Sequence, residues 1–315
     1  GGFAVFAKKV RSYAKVNLSL NILGKEGEYH CIDSVVASVN IWDTVCVKPR
    51  ADKLINVYMH GLGSENIPPE RNNAVKAGEA FVSAFGTAGA DIEIYKDIPL
   101  SAGLGGSSAD AAGVLNALAK LYKIDSAALK PIADSLGSDT GYMLTGGFAR
   151  LRGGGEKVAP LPCKRQLDML LFLPGEGVSS AACYRAYDTA PDLPREDSAR
   201  MASALAAGDF PSIAANVYNA LGAPAASLCP EVAQALEAAA SFSPAAYAVT
   251  GSGSAVFALF EGEALCHWAK GRYKGKMRAR VVHTLVPGSR KISRLASPFA
   301  LTEEEIEQAG GPRGE

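Results

Sequence analysis

The chain of 315 residues has no excess of charge of either sign, because 32 Lys and Arg stand against 32 Asp and Glu. No global field draws it to nucleic acid or to an anionic membrane surface, and neither is expected as a partner. One locally basic run, residues 270–280 (KGRYKGKMRAR), reads as a solvated face near the end of the core. Cysteines are few and scattered. Cys31, Cys46, Cys163, Cys183, Cys229 and Cys266 form no C-x-x-C pair, and the four histidines show no metal-ligand spacing. That pattern argues against a disulfide framework and against a zinc site, and for free or buried thiols in a reducing cytoplasm. No apolar run approaches the length of a membrane span, and no signal peptide is expected ahead of the first strand, so a cytoplasmic protein is expected. With 48% hydrophobic and 20% charged residues, the chain has the composition to fold and the length for one large or two ordinary domains.

What the chain does have is a glycine- and serine-rich stretch at residues 98–112, IPLSAGLGGSSADAA. Gly103, Gly105 and Gly106 carry no Cβ, so the backbone there can take positive φ and approach an anion closely. The alanine-rich helix that follows would present unpaired N–H groups and the positive end of its dipole to that anion. Ser107 and Ser108 add hydroxyls that can cap the helix or meet phosphate oxygens or a magnesium ion. Neither familiar phosphate motif fits. A P-loop closes on Lys-Ser/Thr, and no such pair follows Gly106; the dinucleotide fingerprint needs a third glycine where Ser108 sits. The competing reading is a helix with a flexible glycine lead-in and no ligand.

Elsewhere the pattern is that of a mixed α/β chain. Residues 13–22 alternate, with Val16, Leu18, Leu20 and Ile22 on one side and Lys15, Asn17, Ser19 and Asn21 on the other. The polar side lines something polar or simply faces water. Residues 24–27 make a turn, and 32–41 and 44–48 read as two further strands. A loop rich in Gly, Asn and Pro leads to an amphipathic helix at 74–85, and 91–95 is a short strand feeding the glycine stretch. The helix after it keeps Val114, Leu115, Leu118, Leu121 and Tyr122 on one face. A helix at 126–136 stops at Gly137, and a strand-like segment follows at 142–151. Gly153, Gly154 and Gly155 with Pro160 and Pro162 mark a domain boundary, giving domains at 1–160 and 161–286 and a flexible tail at 287–315 with a short helix at 302–308. The second part opens with a strand at 169–173, continues with helices near 181–188, 199–205 and 230–240, and carries a strand–turn–strand unit at 247–260 whose turn is Gly251, Ser252, Gly253 and Ser254.

Turning over a phosphate ester needs a proton acceptor for the attacking hydroxyl and positive charge near the transferred group. Asp139, in a Ser-Asp-Thr-Gly turn just past a helix stop, is the candidate base, and Lys15 the candidate partner. Taken alone, an aspartate there is more often a helix cap or turn former than a base.

Taken together, these features resemble the GHMP small-molecule kinases: a Lys-bearing strand, a Pro-x-x-x-Gly-Leu-Gly-Gly-Ser-Ser loop, an Asp-bearing turn and a late Gly-Ser-Gly-Ser loop. The stretches that carry the resemblance are AKVNLSLNILG at 14–24 with Glu28, Tyr29 and His30; the glycine loop; GEGVSSAACYRA at 175–186; and residues 219–232 followed by TGSGSAVF at 250–257. The resemblance implies a two-domain GHMP kinase fold, with an N-terminal ribosomal-protein-S5-like domain and a C-terminal ferredoxin-like α/β domain. It implies ATP with Mg2+, bound at Pro99, Gly103, Leu104, Gly105, Gly106, Ser107 and Ser108, with Gly251, Ser252, Gly253 and Ser254 opposite. No fixed protein metal site is implied; magnesium would come with ATP, at Ser107 or Ser108.

It further implies that Asp139 takes the proton of an acceptor alcohol, with Lys15 assisting. The acceptor it points to is a small molecule, a methylerythritol linked to cytidine diphosphate and phosphorylated at its 2-hydroxyl. Tyr29 would stack on the cytosine and His30 would hydrogen-bond its edge, with Asn17 and Ser180 helping to hold the substrate. Without the resemblance, Tyr29 reads as a core or turn aromatic and His30 as a surface histidine. A sugar, homoserine or mevalonate-type acceptor, or a non-catalytic binding protein of the same fold, are the alternatives, and a monomer or a homodimer is expected. The chain departs from the family at Ser107 (usually glycine), Ala109 (usually serine), Gly141 (in the place of a usual proline) and Ser180 (commonly threonine).

Overall fold

A computed structural model describes residues 8–163, 165–193, 195 and 197–285. The alternation seen at 13–22 extends both ways into one long strand, β1 (Lys8–Glu26), which turns at Gly27 and returns as β2 (Tyr29–Pro49). The two strands expected at 32–41 and 44–48 are this single strand. Asp43, between those two stretches, does not interrupt it because its carboxylate is satisfied from outside, by Lys96 and by the N–H groups of Asp97 (2.7 Å) and Ile98 (2.9 Å).

Strand β2 is long enough to serve two neighbours along its length. Residues 44–49 pair with β4 (Ala90–Tyr95), and residues 32–37 pair with β5 (Phe148–Gly153), which pairs in turn with β6 (Lys157–Pro160). Strand β3 (Ile55–His60) runs parallel to β4, and the crossover between them contains α1 (Asn73–Phe85). The seventh strand of this sheet, β8 (Tyr218–Asn219), comes from the second half of the chain and lies parallel to β1. Helix α2 (Gly106–Tyr122) packs on α1, β1 and β2 and buries Val114, Leu115 and Leu118 completely, each a contribution of about 1.5–3 kcal/mol.

After α2 the helix expected at 126–136 divides into a 3₁₀ turn (Ser126–Leu129) and α3 (Lys130–Leu136). The strand expected at 142–151 is corrected more substantially. It is a short helix, α4 (Thr140–Met143), then a break at Gly146 (φ 65°) and Gly147 (φ 86°), then β5. Two successive left-handed residues end both helix and strand geometry, and the buried Tyr142 hydroxyl donates to the Gly147 carbonyl at 2.6 Å to hold the break.

The second sheet is antiparallel throughout, in the order β11 (Arg278–His283), β7 (Asp168–Leu173), β10 (Val256–Phe260), β9 (Ala246–Val249). Around it lie α5 (Ser180–Thr189), α6 (Asp197–Ala207), α7 (Phe210–Ala215), α8 (Gly222–Leu228), α9 (Pro230–Ala240) and α10 (Glu263–Arg272). The sequence reading did not anticipate β3, β6, β8, α7, α8, α10 or β11, and part of its basic run is β11. One apolar cluster runs from Val16 and Leu18 of β1 to Phe172 and Phe257 of the second sheet, so the two sheets share a core.

The polar side of β1 does not face water. Lys15, Asn17, Ser19 and Asn21 are buried, and α6 closes over the last two through Ser198, whose hydroxyl lies 2.9 Å from that of Ser19 and accepts from Asn21 Nδ2 at 3.0 Å. All six cysteines are free thiols. Among the described residues, no helix is long and apolar enough to cross a membrane. The tail at 287–315 and its expected helix lie outside the described residues.

Candidate active site

The site is built where the glycine loop threads between the two sheets. Leu104 O accepts from Lys15 N at 3.0 Å, and Ala102 O accepts from Ala255 N at 3.0 Å, so the loop is stitched to β1 on one side and to the late glycine turn on the other. The passage is too narrow for side chains. A Cβ on Gly103 (φ 77°) would fall 2.0 Å from the Thr250 carbonyl oxygen, and one on Gly105 (φ 76°) would fall 2.4 Å from Met143 Cε. Gly105 then starts α2 in a left-handed conformation with no side-chain cap, which leaves the first-turn N–H groups of α2 without partners of their own. An anion placed there meets those donors and the helix dipole together.

Lys15 projects from β1 beneath this loop. Its Nζ donates to Asn17 Oδ1 (2.6 Å) and to the Gly103 carbonyl (3.2 Å), and lies 3.4 Å from Asp139 Oδ2. Asp139 stands at the start of α4 with its side chain 23% exposed against 5% for Lys15, so the carboxylate is the more open of the two. Asn17 is fully engaged: Oδ1 takes the lysine, Nδ2 donates to Ser34 Oγ at 2.9 Å, and its backbone N–H donates to Thr250 Oγ1 at 3.0 Å. The cleft, of about 410 Å³, is lined by Lys15, Asn17, Asp139, Pro99, Gly103, Gly105, Gly106, Ser107, Ser108, Ser180, Gly251, Ser252 and Gly253, among others. Two residues of the expected glycine loops lie off its wall. Leu104 is fully buried and contributes its carbonyl alone, and Ser254 is buried behind the turn. Ser180 and Ser252, from the second part of the chain, face each other with oxygens 2.7 Å apart.

His30 and Tyr29 lie beyond this wall, at the tip of the β1–β2 hairpin. The His30 ring stacks on Tyr184 of α5 (centroids 4.5 Å, planes 30° apart), and Tyr184 itself lines the cleft. Tyr29 is 79% exposed and is not part of the cleft wall. Burial, helped by Asp139 nearby, pushes the Tyr184 phenol above its ordinary value, so it stays neutral. Sequence reasoning missed Tyr184, Thr250 and Asn219. Asn219 donates from Nδ2 to the Val249 and Gly251 carbonyls (2.6 and 2.8 Å) and so braces the late glycine turn. The tyrosines at 184 and 187 of α5 are the visible signal for an aromatic wall; the other two open the stretches at 219–232 and 250–257 that carry the family resemblance.

Behind the loop sits a second charged centre. Lys96 Nζ contacts Asp43 Oδ2 and, at 2.6 Å, Asp110 Oδ2, with all three side chains closed or nearly closed to solvent. Burial alone would lower the lysine, but the Asp110 and Asp43 carboxylates outweigh it and hold Lys96 above its ordinary value. Burial, foremost, pushes Asp110 well above the usual carboxylate range. Among the described residues no group of three or more His, Cys, Asp or Glu side chains could hold a metal ion.

An uncapped helix start, a lysine and an open carboxylate on one cleft are the equipment of a phosphotransferase that acts on small molecules. The chain belongs to the GHMP kinase family: models described as GHMP kinases N terminal domain and GHMP kinases C terminal match residues 72–149 and 201–265. Among curated relatives, a protein of Desulfitobacterium hafniense (strain Y51) named 4-diphosphocytidyl-2-C-methyl-D-erythritol kinase is 37% identical over 257 residues, 80% of this chain and 87% of its own length. The protein of the same name from Pelotomaculum thermopropionicum is 37% identical over 252 residues, 78% of this chain and 86% of its own. A crystal structure of 4-(cytidine 5'-diphospho)-2C-methyl-D-erythritol kinase is 32% identical and superposes with a TM-score of 0.70 over 88% of this chain and 99% of its own. A homoserine kinase from Cytophaga hutchinsonii, 19% identical, shares the fold with a TM-score of 0.72, covering 91% of this chain and 96% of its own. The family expected from the loop, Lys15 and Asp139 is therefore the family found.

Proposed function

We propose that this protein transfers the γ-phosphate of ATP to the 2-hydroxyl of 4-diphosphocytidyl-2-C-methyl-D-erythritol, in the non-mevalonate route to isoprenoid precursors. The observation that carries the reading is the placement of Asp139 and Lys15, 3.4 Å apart, in one cleft with the start of α2. The phosphates of ATP would lie on the N–H groups at Gly106, Ser107 and Ser108, and the acceptor alcohol would approach from the Asp139 side. Asp139 accepts the alcohol's proton as its oxygen attacks, and Lys15, held by Asn17 and the Gly103 carbonyl, places positive charge beside the oxygens that gain negative charge. Ser180 and Ser252 offer hydroxyls to the diphosphate of the acceptor. His30, Tyr184 and the exposed ring of Tyr29 would hold the cytosine.

Magnesium suits the donor set, since the Ser108 hydroxyl is a hard oxygen ligand beside a phosphate site and no protein-only cage competes with it among the described residues. When bound with ATP it would supply neutralisation of phosphate charge.

Turnover of ATP should be measured with the cytidine diphosphate-linked acceptor and, separately, with homoserine, mevalonate and galactose. Formation of ADP with the first acceptor alone is expected. Turnover of another acceptor without it would overturn the choice of substrate.

A further inference from the structure

The hairpin tip carries a chain of charged groups that ATP chemistry does not use. Lys25, on β1, donates to Asp188 Oδ2 at 2.5 Å, and the other carboxylate oxygen, Oδ1, lies 2.7 Å from His30 Nε2. Asp188 is on α5, one turn beyond Tyr184, so the carboxylate grips the His30 ring at its edge while Tyr184 supports its face. The hydrogen bonds from Lys25 and His30 hold the Asp188 carboxyl below its ordinary value, which leaves it an acceptor with no proton to give. A neutral His30 must then carry its hydrogen on Nε2. In that neutral ring the other nitrogen, Nδ1, is the bare lone pair, and it makes no hydrogen bond to any described residue.

We propose that Asp188 is a positioning residue that fixes His30 as the Nε2–H tautomer, so that Nδ1 acts as an acceptor and selects a pyrimidine bearing an exocyclic amine over one bearing a carbonyl at the same position. This rests on the reading of the acceptor as a cytidine nucleotide. The chemistry is that of a single edge contact. Cytosine presents an N–H at its exocyclic nitrogen, which Nδ1 accepts; uracil presents an oxygen there, which places two lone pairs face to face. A site that offers an acceptor to the wrong base leaves both groups unpaired as they are desolvated, and such mismatches discriminate far better than lost apolar contact. Lys25 holds the second carboxylate oxygen and so keeps Asp188 from turning away from the ring.

Two measurements on the intact protein test this. The first needs no substrate. Two-bond ¹H–¹⁵N correlation spectra of protein labelled at histidine, with the His30 signals assigned from a His30→Gln sample, report which ring nitrogen carries hydrogen. The wild type is expected to show a protonated Nε2 and a bare Nδ1. Asp188→Asn, whose amide can donate as well as accept, is expected to lose that single pattern, and Asp188→Glu to restore it. The second compares kcat/KM for 4-diphosphocytidyl-2-C-methyl-D-erythritol with that for its uridyl counterpart. Asp188→Asn is expected to lower the ratio at least about tenfold, mainly through KM of the cytidyl substrate, with Asp188→Glu recovering most of it.

A protonated Nδ1 in the wild type would overturn the proposal. So would an Asp188→Asn protein in which both substrates fell in parallel with the ratio unchanged, since that is what a purely structural contact gives. A wild type that turned over neither pyrimidine substrate would overturn the reading of the acceptor and the selectivity with it, while the ring spectrum would still show whether Asp188 sets the tautomer.

Discussion

Two lysine–carboxylate centres stand on either side of the glycine loop, and they solve opposite problems with the same groups. Lys96, at the end of β4, is closed in by Asp43 of β2 and Asp110 of α2, with neither lysine nor Asp43 exposed at all. Lys15, from β1, is nearly as buried, yet its closest partners are neutral: the Asn17 amide oxygen at 2.6 Å and the Gly103 carbonyl at 3.2 Å. Its carboxylate, Asp139, is farther away at 3.4 Å and opens on the cleft. At Lys96 the charges are spent on one another, and what they hold is architecture, because Asp43 also takes the N–H groups of Asp97 and Ile98 that begin the loop. At Lys15 the charge is oriented by dipoles and left available to a substrate. Chemistry depends on the incomplete pairing, and folding depends on the complete one.

Removing the lysine from each centre should separate these roles. Lys96→Met leaves two buried carboxylates facing each other with no cation between them, and losing one partner of a buried pair costs about 3–5 kcal/mol. Chemical denaturation should show that loss, with activity falling only as the folded fraction falls or as KM for ATP rises. A midpoint unchanged from wild type would remove the structural role assigned to Lys96. Asp139→Asn should do the reverse. It keeps shape and fold but cannot accept a proton, so kcat is expected to fall about 10²–10⁴-fold with ATP binding and denaturation midpoint largely retained. Unchanged turnover would rule it out as the base. Lys15→Met, measured in the same steady-state assay, is expected to cost about 10²-fold in kcat, since one donor to the developing charge is lost while the base remains. A loss confined to KM would assign Lys15 to ground-state binding instead.

The contrast also explains what was legible in the amino-acid sequence. The alternation of β1 and the glycine loop were readable because each is a local rule: period two for a strand, absent Cβ atoms for a close approach. Lys15 and Asp139 could be picked out because each sat beside such a rule. The gap left between residues 41 and 44 falls at Asp43, and the groups that satisfy it lie more than fifty residues away, at Lys96, Asp97 and Ile98. Tyr184 was passed over for the same kind of reason. The pair of tyrosines in α5 marks an aromatic face but not which ring meets the cleft; that is decided by a hairpin tip some 150 residues earlier, where His30 lies against Tyr184. The polar face of β1 stayed ambiguous until α6 was seen to cover it through Ser198.

The smallest effect concerns the loop's own departure from its family, and it sharpens the comparison because it lies between the two centres. Ser107 stands where GHMP kinases usually have a third glycine, yet the position makes no demand for one. It lies in the first turn of α2 with no positive φ, and its exposed side chain accepts from Asn73 Nδ2 at 2.9 Å. The strained positions are Gly103 and Gly105, and both are kept. The hydroxyl therefore ties the start of α2 to the start of α1 without touching either lysine. Ser107→Gly should remove that one exposed hydrogen bond and add backbone freedom at a helix start, a loss of about 0.5–1 kcal/mol in stability. KM for ATP should move no more than a few-fold and kcat hardly at all. A fall in kcat comparable with that of Lys15→Met would instead make Ser107 part of the phosphate-transfer machinery, and the boundary between the spent and the available charge would have to be redrawn through the loop itself.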